Sequence, residues 1–243
     1  MTSPEVDAIS RDTVIVIPTG SLEQHGRHLP LFTDSLIVTA VCQAVDDRIS
    51  SEILVTPCLW LGASAHHIAF PGTMTASMDS YIGSLISCVE SLHRHGFHRF
   101  FVVNGHGGNT DPNGVALRTL KERHKNITVG HSGYFSFIDE NLYSQMVGPV
   151  KGIRHACEAE TSLMLHLHPN SVHMDRAVDD GLECDVTGVI GTFDEITENG
   201  VLGFATKARA ELGKVLFESA VEGLASHLSR FRKGIIWKGI APS

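Results

Sequence analysis

The sequence lacks the features of a disulfide-stapled or membrane-anchored protein. Its 243 residues include five scattered cysteines, at positions 42, 58, 88, 157 and 184, with no C-x-x-C pair. An odd number without that pair argues against a disulfide framework or a zinc knuckle, and a reducing compartment fits best. The first twelve residues are polar and acidic, unlike a signal peptide, and the longest apolar run, residues 14–18, is too short to cross a bilayer. We therefore expect a cytoplasmic protein with no membrane partner.

Positive charge is also scarce. The chain has 19 Lys and Arg against 27 Asp and Glu, so its formal net charge is −8. Its basic residues cluster only at 121–125 and 230–233, where they are typical of solvated helix ends. A nucleic-acid groove or an anionic membrane would need a basic face. We therefore expect a small-molecule partner and no nucleic acid.

The hydrophobic pattern predicts one α/β domain over residues 1–243. Short β-branched or aromatic runs alternate with longer stretches of helical periodicity, which is typical of a mainly parallel sheet covered by helices on both faces, a three-layer sandwich. Strands are predicted at 13–17, 53–58, 99–103 and 127–129. Helices are predicted from residue 34, at 78–94, 115–124 and 158–167, and from about 204 to 231, with an irregular stretch at 181–203.

Polar residues cluster directly after two of the predicted strands. Glu23 and His25 follow the first strand and lie two apart, so an extended segment points both to one side, and Asp34 opens the next helix. His106 follows the third strand within the glycine-rich stretch 104–109. Ligands of parallel sheets bind beyond the carboxyl ends of the strands, so these groups are candidates for a shared site. Asp34 could instead serve only as a helix cap.

A third polar cluster stands where the helix at 158–167 begins. In a segment already helical, His155 and Glu158 share a face, whereas Glu160 points elsewhere. Either glutamate could instead be a helix cap. Mixed imidazole and carboxylate ligands suit zinc, manganese or ferrous iron. Five such ligands with one shared carboxylate could hold two ions, which together activate a water and polarise the group it attacks.

Four ordered motifs in residues 13–168 resemble the hallmarks of the creatininase family. They are Gly20-Ser-Leu-Glu-Gln-His-Gly with its continuation to Asp34, His67-Ile-Ala-Phe-Pro-Gly-Thr73, Asn104-Gly-His-Gly-Gly-Asn109 and His155-Ala-Cys-Glu-Ala-Glu-Thr-Ser162. The resemblance implies an α/β sandwich with a parallel sheet, usually assembled as a homohexamer. It also implies hydrolysis of an amide C–N bond with two metal ions per chain.

The resemblance implies a ligand set for those ions. Glu23, His25, Asp34 and His106 match family ligands, with Asp34 bridging both ions. In creatininase itself a glutamate two residues after the histidine of Asn-Gly-His supplies the fifth ligand. Here that position is Gly108, so the carboxylate must come from elsewhere. Glu158 is the predicted fifth ligand, and Glu160 is the alternative ligand or otherwise a proton-transfer residue.

The same resemblance supplies a mechanistic hypothesis. A hydroxide bridging the two ions attacks an amide or imide carbonyl, and His155 gives a proton to the leaving nitrogen. His67 and Arg27 are predicted to contact the substrate. Three alternatives remain open: a hydrolase that opens an oxidised cyclic sugar, a formamide or peptide hydrolase of a cofactor pathway, and a metal-binding protein without turnover.

Several departures from the family pattern argue against creatinine as the substrate. Cys157 replaces a usual glycine, and Ala65 and His66 precede His67 where a glutamate is frequent. Creatininase closes its site with tryptophans, but Trp60 and Trp237 are the only two in this chain, and neither lies in 130–180. The aromatic residues Tyr134, Phe135, Phe137 and Tyr143 could cover a small ring or pack at a subunit interface.

Overall fold

The computed structural model describes residues 1–182, 186 and 188–236. Cys184 and Trp237, and the expectations that concern them, lie outside the described residues. Within the described ranges, no helix has the length and apolar character needed to cross a membrane. The assignment of all 243 residues to one domain stays a prediction.

A four-stranded parallel sheet forms the middle layer. Its strands are β1 (Val14–Thr19), β2 (Ile53–Val55), β3 (Arg99–Asn104) and β4 (Thr128–Gly133). They lie in the order β2-β1-β3-β4, so β1 and β3 are central. Every residue of β1 is buried, which explains why this strand is an apolar run without polar alternation.

Helices cover both faces of the sheet, as the sequence predicts. The helices are α1 (Ser3–Asp7), α2 (Thr33–Ile49), α3 (Met78–Arg94), α4 (Thr110–Arg123), α5 (Glu158–Leu167), α6 (Phe193–Ile196) and α7 (Ala210–Arg232). Val14 and Val16 pack into one core with α2, α5 and α7, while Ile15 and Ile17 pack into a second core with α3 and α4. Successive side chains of β1 thus serve opposite layers. The predicted α/β sandwich is confirmed.

Most elements lie where periodicity predicts them, and the differences occur at their ends. Helices α3 and α5 have the predicted bounds. Helix α4 begins at Thr110 rather than at residue 115, because a 3₁₀ turn at Gly107–Asn109 leads directly into it. The prediction that the last helix begins near residue 204 is wrong. Residues 203–204 instead form β6 (Gly203–Phe204), which pairs with β5 (Asp179–Asp180).

The loops that follow β1 and β3 begin side by side at the carboxyl edge of the sheet. Thr19 is paired with Asn104 in the strand register, and the Thr19 hydroxyl donates a 3.1 Å hydrogen bond to Asn104 Oδ1. Gly105 lies so close to the start of α2 that a Cβ there would stand 2.7 Å from the Asp34 carbonyl oxygen. The first two polar clusters therefore converge at this edge.

Candidate metal centre and its cavity

Asp34 stands between two imidazoles. His25 Nε2 lies 3.0 Å from Asp34 Oδ1, and His106 Nδ1 lies 3.1 Å from Asp34 Oδ2. Ser21 donates a 2.6 Å hydrogen bond to Oδ2 and so fixes the carboxylate from behind. All four side chains are almost completely buried. Each oxygen of Asp34 thus faces a different histidine, an arrangement that suits a bridging carboxylate.

Glu23 lies at the centre of a second group of imidazoles. Its Oε1 is 3.1 Å from His106 Nδ1, 3.2 Å from His67 Nε2 and 3.6 Å from His155 Nδ1. Gln24 holds two of these rings, because its side-chain amide nitrogen lies 2.9 Å from His67 Nδ1 and its backbone carbonyl oxygen lies 2.8 Å from His155 Nε2. The loop after β1 therefore contributes both the carboxylate and the group that orients its neighbours.

Glu160 joins this cluster from the first turn of α5. Ligand atoms of Glu160, His25 and His155 lie within 4.8 Å of one another. The backbone N–H of Ala156 donates a 2.6 Å hydrogen bond to Glu160 Oε2. Ala156 has φ +51°, the one positive value among the described residues other than glycine, so the chain turns sharply between His155 and α5. That turn directs the side chains of both His155 and Glu160 toward His25.

Glu158 does not lie in the cluster, and the expectation that it completes the ligand set is not supported by its position. Its two carboxylate oxygens accept hydrogen bonds from the backbone N–H groups of Val147 and Gly148, at 2.7 and 2.8 Å. Helix α5 begins at Glu158, after the left-handed turn, so His155 and Glu158 do not share a helix face. The buried carboxylate of Glu158 holds the preceding loop.

Position 108 has no room for a side chain. A Cβ on Gly108 would stand 2.5 Å from both the Ala63 carbonyl oxygen and His106 Nε2, and 2.6 Å from His66 Cε1. Contacts that close are never made by real Cβ atoms, and the carbonyl oxygen belongs to the backbone. The loop that carries His66 therefore fills the space that the side chain of a glutamate at position 108 would need.

The donor set fits divalent metal ions. The side chain of Glu23 is fully buried, yet neither carboxylate oxygen forms a hydrogen bond with any described residue. A buried carboxylate without a partner is costly, and a bound cation satisfies it. Among the described residues, the groups whose ligand atoms lie within 4.8 Å of one another are Glu23–Asp34–His106, Glu23–His67–His155 and His25–His155–Glu160.

Protonation equilibria in the cluster are strongly perturbed. Burial opposes the charging of His25, but Asp34, Glu160 and Glu23 outweigh it and raise the pKa of His25 to about 9. Burial raises the pKa of Glu160 to about 8. Burial and the proximity of His25 lower the pKa of His155 well below its usual range. In the absence of an ion, bound protons thus offset the negative charges of the cluster, and a metal ion would displace those protons.

A cavity of about 230 Å³ opens over the cluster. Glu23, Asp34, His67, His106, His155 and Glu160 form its polar part, and Phe135, Ile153 and Phe193 supply apolar walls. Phe135 thus lies where the predicted aromatic cover is needed. Arg27 is exposed and is not among the lining residues, so its predicted contact with substrate is not supported by its position.

Sequence reasoning missed Arg154 and Phe193, which line the cavity. Arg154 directly precedes the candidate proton carrier His155, and that adjacency is the one signal that could have revealed it. Phe193 lies in the irregular stretch, and its ring centroid stands 3.8 Å from that of His67. No periodicity marks this position.

The chain is similar over most of its length to known proteins. A family model described as creatinine amidohydrolase matches residues 1–228. The creatinine amidohydrolase of Pseudomonas putida is 31% identical over 237 residues, which cover 91% of this chain and 90% of that protein. The mycofactocin precursor peptide peptidase of Mycobacterium ulcerans (strain Agy99) is 32% identical, over 90% of this chain and 86% of that protein. A solved structure described as "Creatininase Mn" superposes with a TM-score of 0.83 at 31% identity, over 95% of this chain and 96% of that one.

Proposed function

Because this chain belongs to the creatininase family, we propose that it is a dinuclear metal-dependent hydrolase that cleaves a C–N bond of a small amide. The observation that carries the proposal is Glu23. It is a fully buried carboxylate without a hydrogen-bond partner among the described residues, and three imidazoles surround it. Without a bound cation, this buried carboxylate would destabilise the folded protein, and nothing in the cluster would compensate fully for that loss.

We propose Glu23, His25, Asp34, His106 and Glu160 as the ligands. Glu23 and His106 would hold one ion, His25 and Glu160 the other, and Asp34 would offer one oxygen to each. Glu160 thereby takes the place predicted for Glu158. Zinc, manganese and ferrous iron all suit this mixed set. When bound, such ions would activate a water and polarise the carbonyl of the substrate.

His155 is the proposed proton carrier. Its Nε2 lies 2.8 Å from the backbone carbonyl oxygen of Gln24, so the neutral ring donates there and leaves Nδ1 free on the side of Glu23. Burial favours that neutral form. Nδ1 can therefore take up a proton from the attacking water and deliver it to the leaving nitrogen.

His67 has a more constrained role. It lines the cavity, but Gln24 donates to its Nδ1 at 2.9 Å and its Nε2 faces Glu23 at 3.2 Å. Burial and the neighbouring histidines lower the pKa of His67, which keeps the ring neutral. We therefore assign it to the positioning of Glu23, with its ring edge available to substrate.

The decisive experiment is metal content per chain by elemental analysis of protein purified without chelators. Wild type should carry about two ions, and Asp34→Ala should lose most of both because it removes the shared ligand. Glu160→Gln should lose about one ion, whereas the matched variant Glu158→Gln should keep two. A single ion in wild type would contradict the dinuclear site, and metal loss in Glu158→Gln alone would restore Glu158 as the ligand.

Turnover is tested on metal-loaded protein with a panel of lactams, imides and formamides. We expect hydrolysis of at least one amide, with a loss of about two orders of magnitude or more in kcat for His155→Gln at unchanged metal content. His168→Gln, in a histidine that does not line the cavity, is the control. Absence of bound metal after zinc or manganese is added back would overturn the proposal.

A further inference from the structure

The cavity over the cluster has an uneven charge distribution. Its acidic groups are the buried candidate ligands, whereas Arg154 is the single permanently charged cation among the described lining residues. Among the described residues, the one polar contact of its guanidinium is with a backbone carbonyl oxygen, and no carboxylate pairs with it. Its nearest acceptor is the carbonyl oxygen of Ile153 at 3.5 Å, a long contact within its own loop. The five N–H donors of this cavity-lining arginine thus have no strong partner among the described residues.

The backbone that carries Arg154 is firmly held. The Arg154 N–H donates to Cys157 Sγ at 3.2 Å, and the carbonyl oxygen of His155 accepts a 2.9 Å hydrogen bond from Leu202 N–H. Gly152 at φ +87° and Ala156 at φ +51° bracket this segment with left-handed turns. Arg154 is therefore presented by a fixed loop next to the proposed proton carrier.

Arg154 also lines a second cavity, of about 650 Å³, so it stands where the two cavities adjoin. Two aspartates line this larger cavity, but their oxygens are engaged. Asp179 accepts hydrogen bonds from the backbone and hydroxyl of Thr206, at 2.9 and 2.7 Å. Asp180 accepts from Gly181 N–H and from Thr197 and Asn199. Both carboxylates keep their charge, but neither forms an ion pair with Arg154 among the described residues.

We propose that Arg154 anchors a carboxylate of the substrate, so that this hydrolase acts on amides that already carry a free carboxylate. This carboxylate is distinct from the one that amide hydrolysis produces. This inference rests on the proposed function. The reacting amide would occupy the smaller cavity, and the carboxylate would accept hydrogen bonds from the guanidinium at the junction. Apolar residues of the larger cavity, Leu182, Leu202 and Phe204, would receive an apolar extension of the same molecule.

Binding of two hydroxamates to metal-loaded protein tests the inference without turnover. Succinic acid monohydroxamate carries the carboxylate, and the hydroxamate of succinamic acid, in which an amide replaces that carboxylate, is its neutral match. Calorimetry on wild type should show about ten-fold tighter binding of the carboxylate probe, and the difference should shrink with added salt. Arg154→Met should reduce that preference to about two-fold or less, and Arg154→Lys should retain part of it. Arg94→Met, in an exposed arginine of α3, should leave it unchanged.

Each outcome separates the inference from the proposed function. Equal affinity for both probes in wild type, or an undiminished preference in Arg154→Met, overturns the inference while the metal-dependent site stands. If neither probe binds in a metal-dependent manner, the proposed function fails and the inference fails with it.

Discussion

His28 is a buried neutral imidazole three residues beyond His25. Its Nε2 lies 2.8 Å from the Thr161 hydroxyl, and its Nδ1 has no hydrogen-bond partner among the described residues. Burial and repulsion from His25 lower the pKa of His28 to about 4. The folded protein therefore resists a protonation that the unfolded chain undergoes near pH 6.5.

This pKa shift predicts an acid-sensitive stability. A depressed histidine pKa costs nothing above pH 6.5, and the cost grows as the pH falls toward 4, because only the unfolded chain then binds the proton. Between pH 7 and pH 5, wild type should lose about 1–2 kcal/mol more unfolding free energy than His28→Gln. Urea denaturation in the presence of a chelator measures the difference. Parallel losses in both proteins would contradict the assignment.

At the residue scale, sequence reasoning identified the cluster but not every member. The spacing of Glu23, His25 and Asp34 around one strand-to-helix loop predicts their convergence, and Asp34 lies beside both of the other side chains in the structure. The choice between Glu158 and Glu160 could not be predicted. It depends on the left-handed turn at Ala156, which breaks the helical spacing assumed between His155 and Glu158. An alanine gives no sequence signal for that conformation.

Helices α5 and α7 pack at unusually close range. A Cβ on Gly213 of α7 would stand 1.8 Å from the carbonyl oxygen of Ser162 in α5. The Ser162 hydroxyl also accepts a 3.0 Å hydrogen bond from the backbone N–H of Arg209, just before α7. Because Glu160 lies on α5, this contact with α7 helps to determine where the candidate ligand is positioned.

Two glycine substitutions in helices should have opposite effects on stability. Gly213→Ala should lower the free energy of unfolding by about 3 kcal/mol, because α5 and α7 must separate to admit the methyl group. Gly83→Ala in α3 should raise it by about 0.5–1 kcal/mol, because its Cβ meets no atom within 4 Å and the unfolded chain becomes less flexible. Urea denaturation of both variants checks this. Equal stability of the two would show that the helices separate at no cost.

At the scale of elements, periodicity predicted which segments are helix and which are strand. Long amphipathic stretches such as α3 have the predicted bounds because the sequence contains two signals for them. Apolar residues at helical spacing mark the buried face, and a glycine follows the end of the helix. The short strands β5 and β6 were not predicted. A two-residue strand has too few side chains for an alternation to appear, and tertiary contacts alone define it.

Metal ions bound at the candidate centre should stabilise the whole molecule. Three buried carboxylates, Glu23, Asp34 and Glu160, share one cluster, so removing divalent cations leaves mutual repulsion that protons must offset. A metal ion whose free concentration is about 1,000 times its dissociation constant adds about 4 kcal/mol to the free energy of unfolding. A chelator should therefore lower the Tm by about 10 °C, since about 1 kcal/mol corresponds to 2–4 °C in a chain of this size.

Differential scanning fluorimetry, with and without a chelator, measures that shift. Asp34→Ala is the control, because a protein that no longer holds the ions has nothing further to lose. A wild-type Tm unaffected by the chelator would count against resident metal ions. The family fold was predictable at this scale from four ordered motifs, whereas the hexamer and the cytoplasmic location stay predictions.

The crowding at Gly108 constrains how this chain and creatininase itself could have diverged. Glutamate cannot be introduced at position 108 while the backbone at Ala63 and the ring of His66 occupy its space. A change from glycine to glutamate at position 108 therefore requires the loop at 63–67 to move as well. For this steric reason, a Gly108→Glu variant alone should not place a glutamate side chain in the cluster.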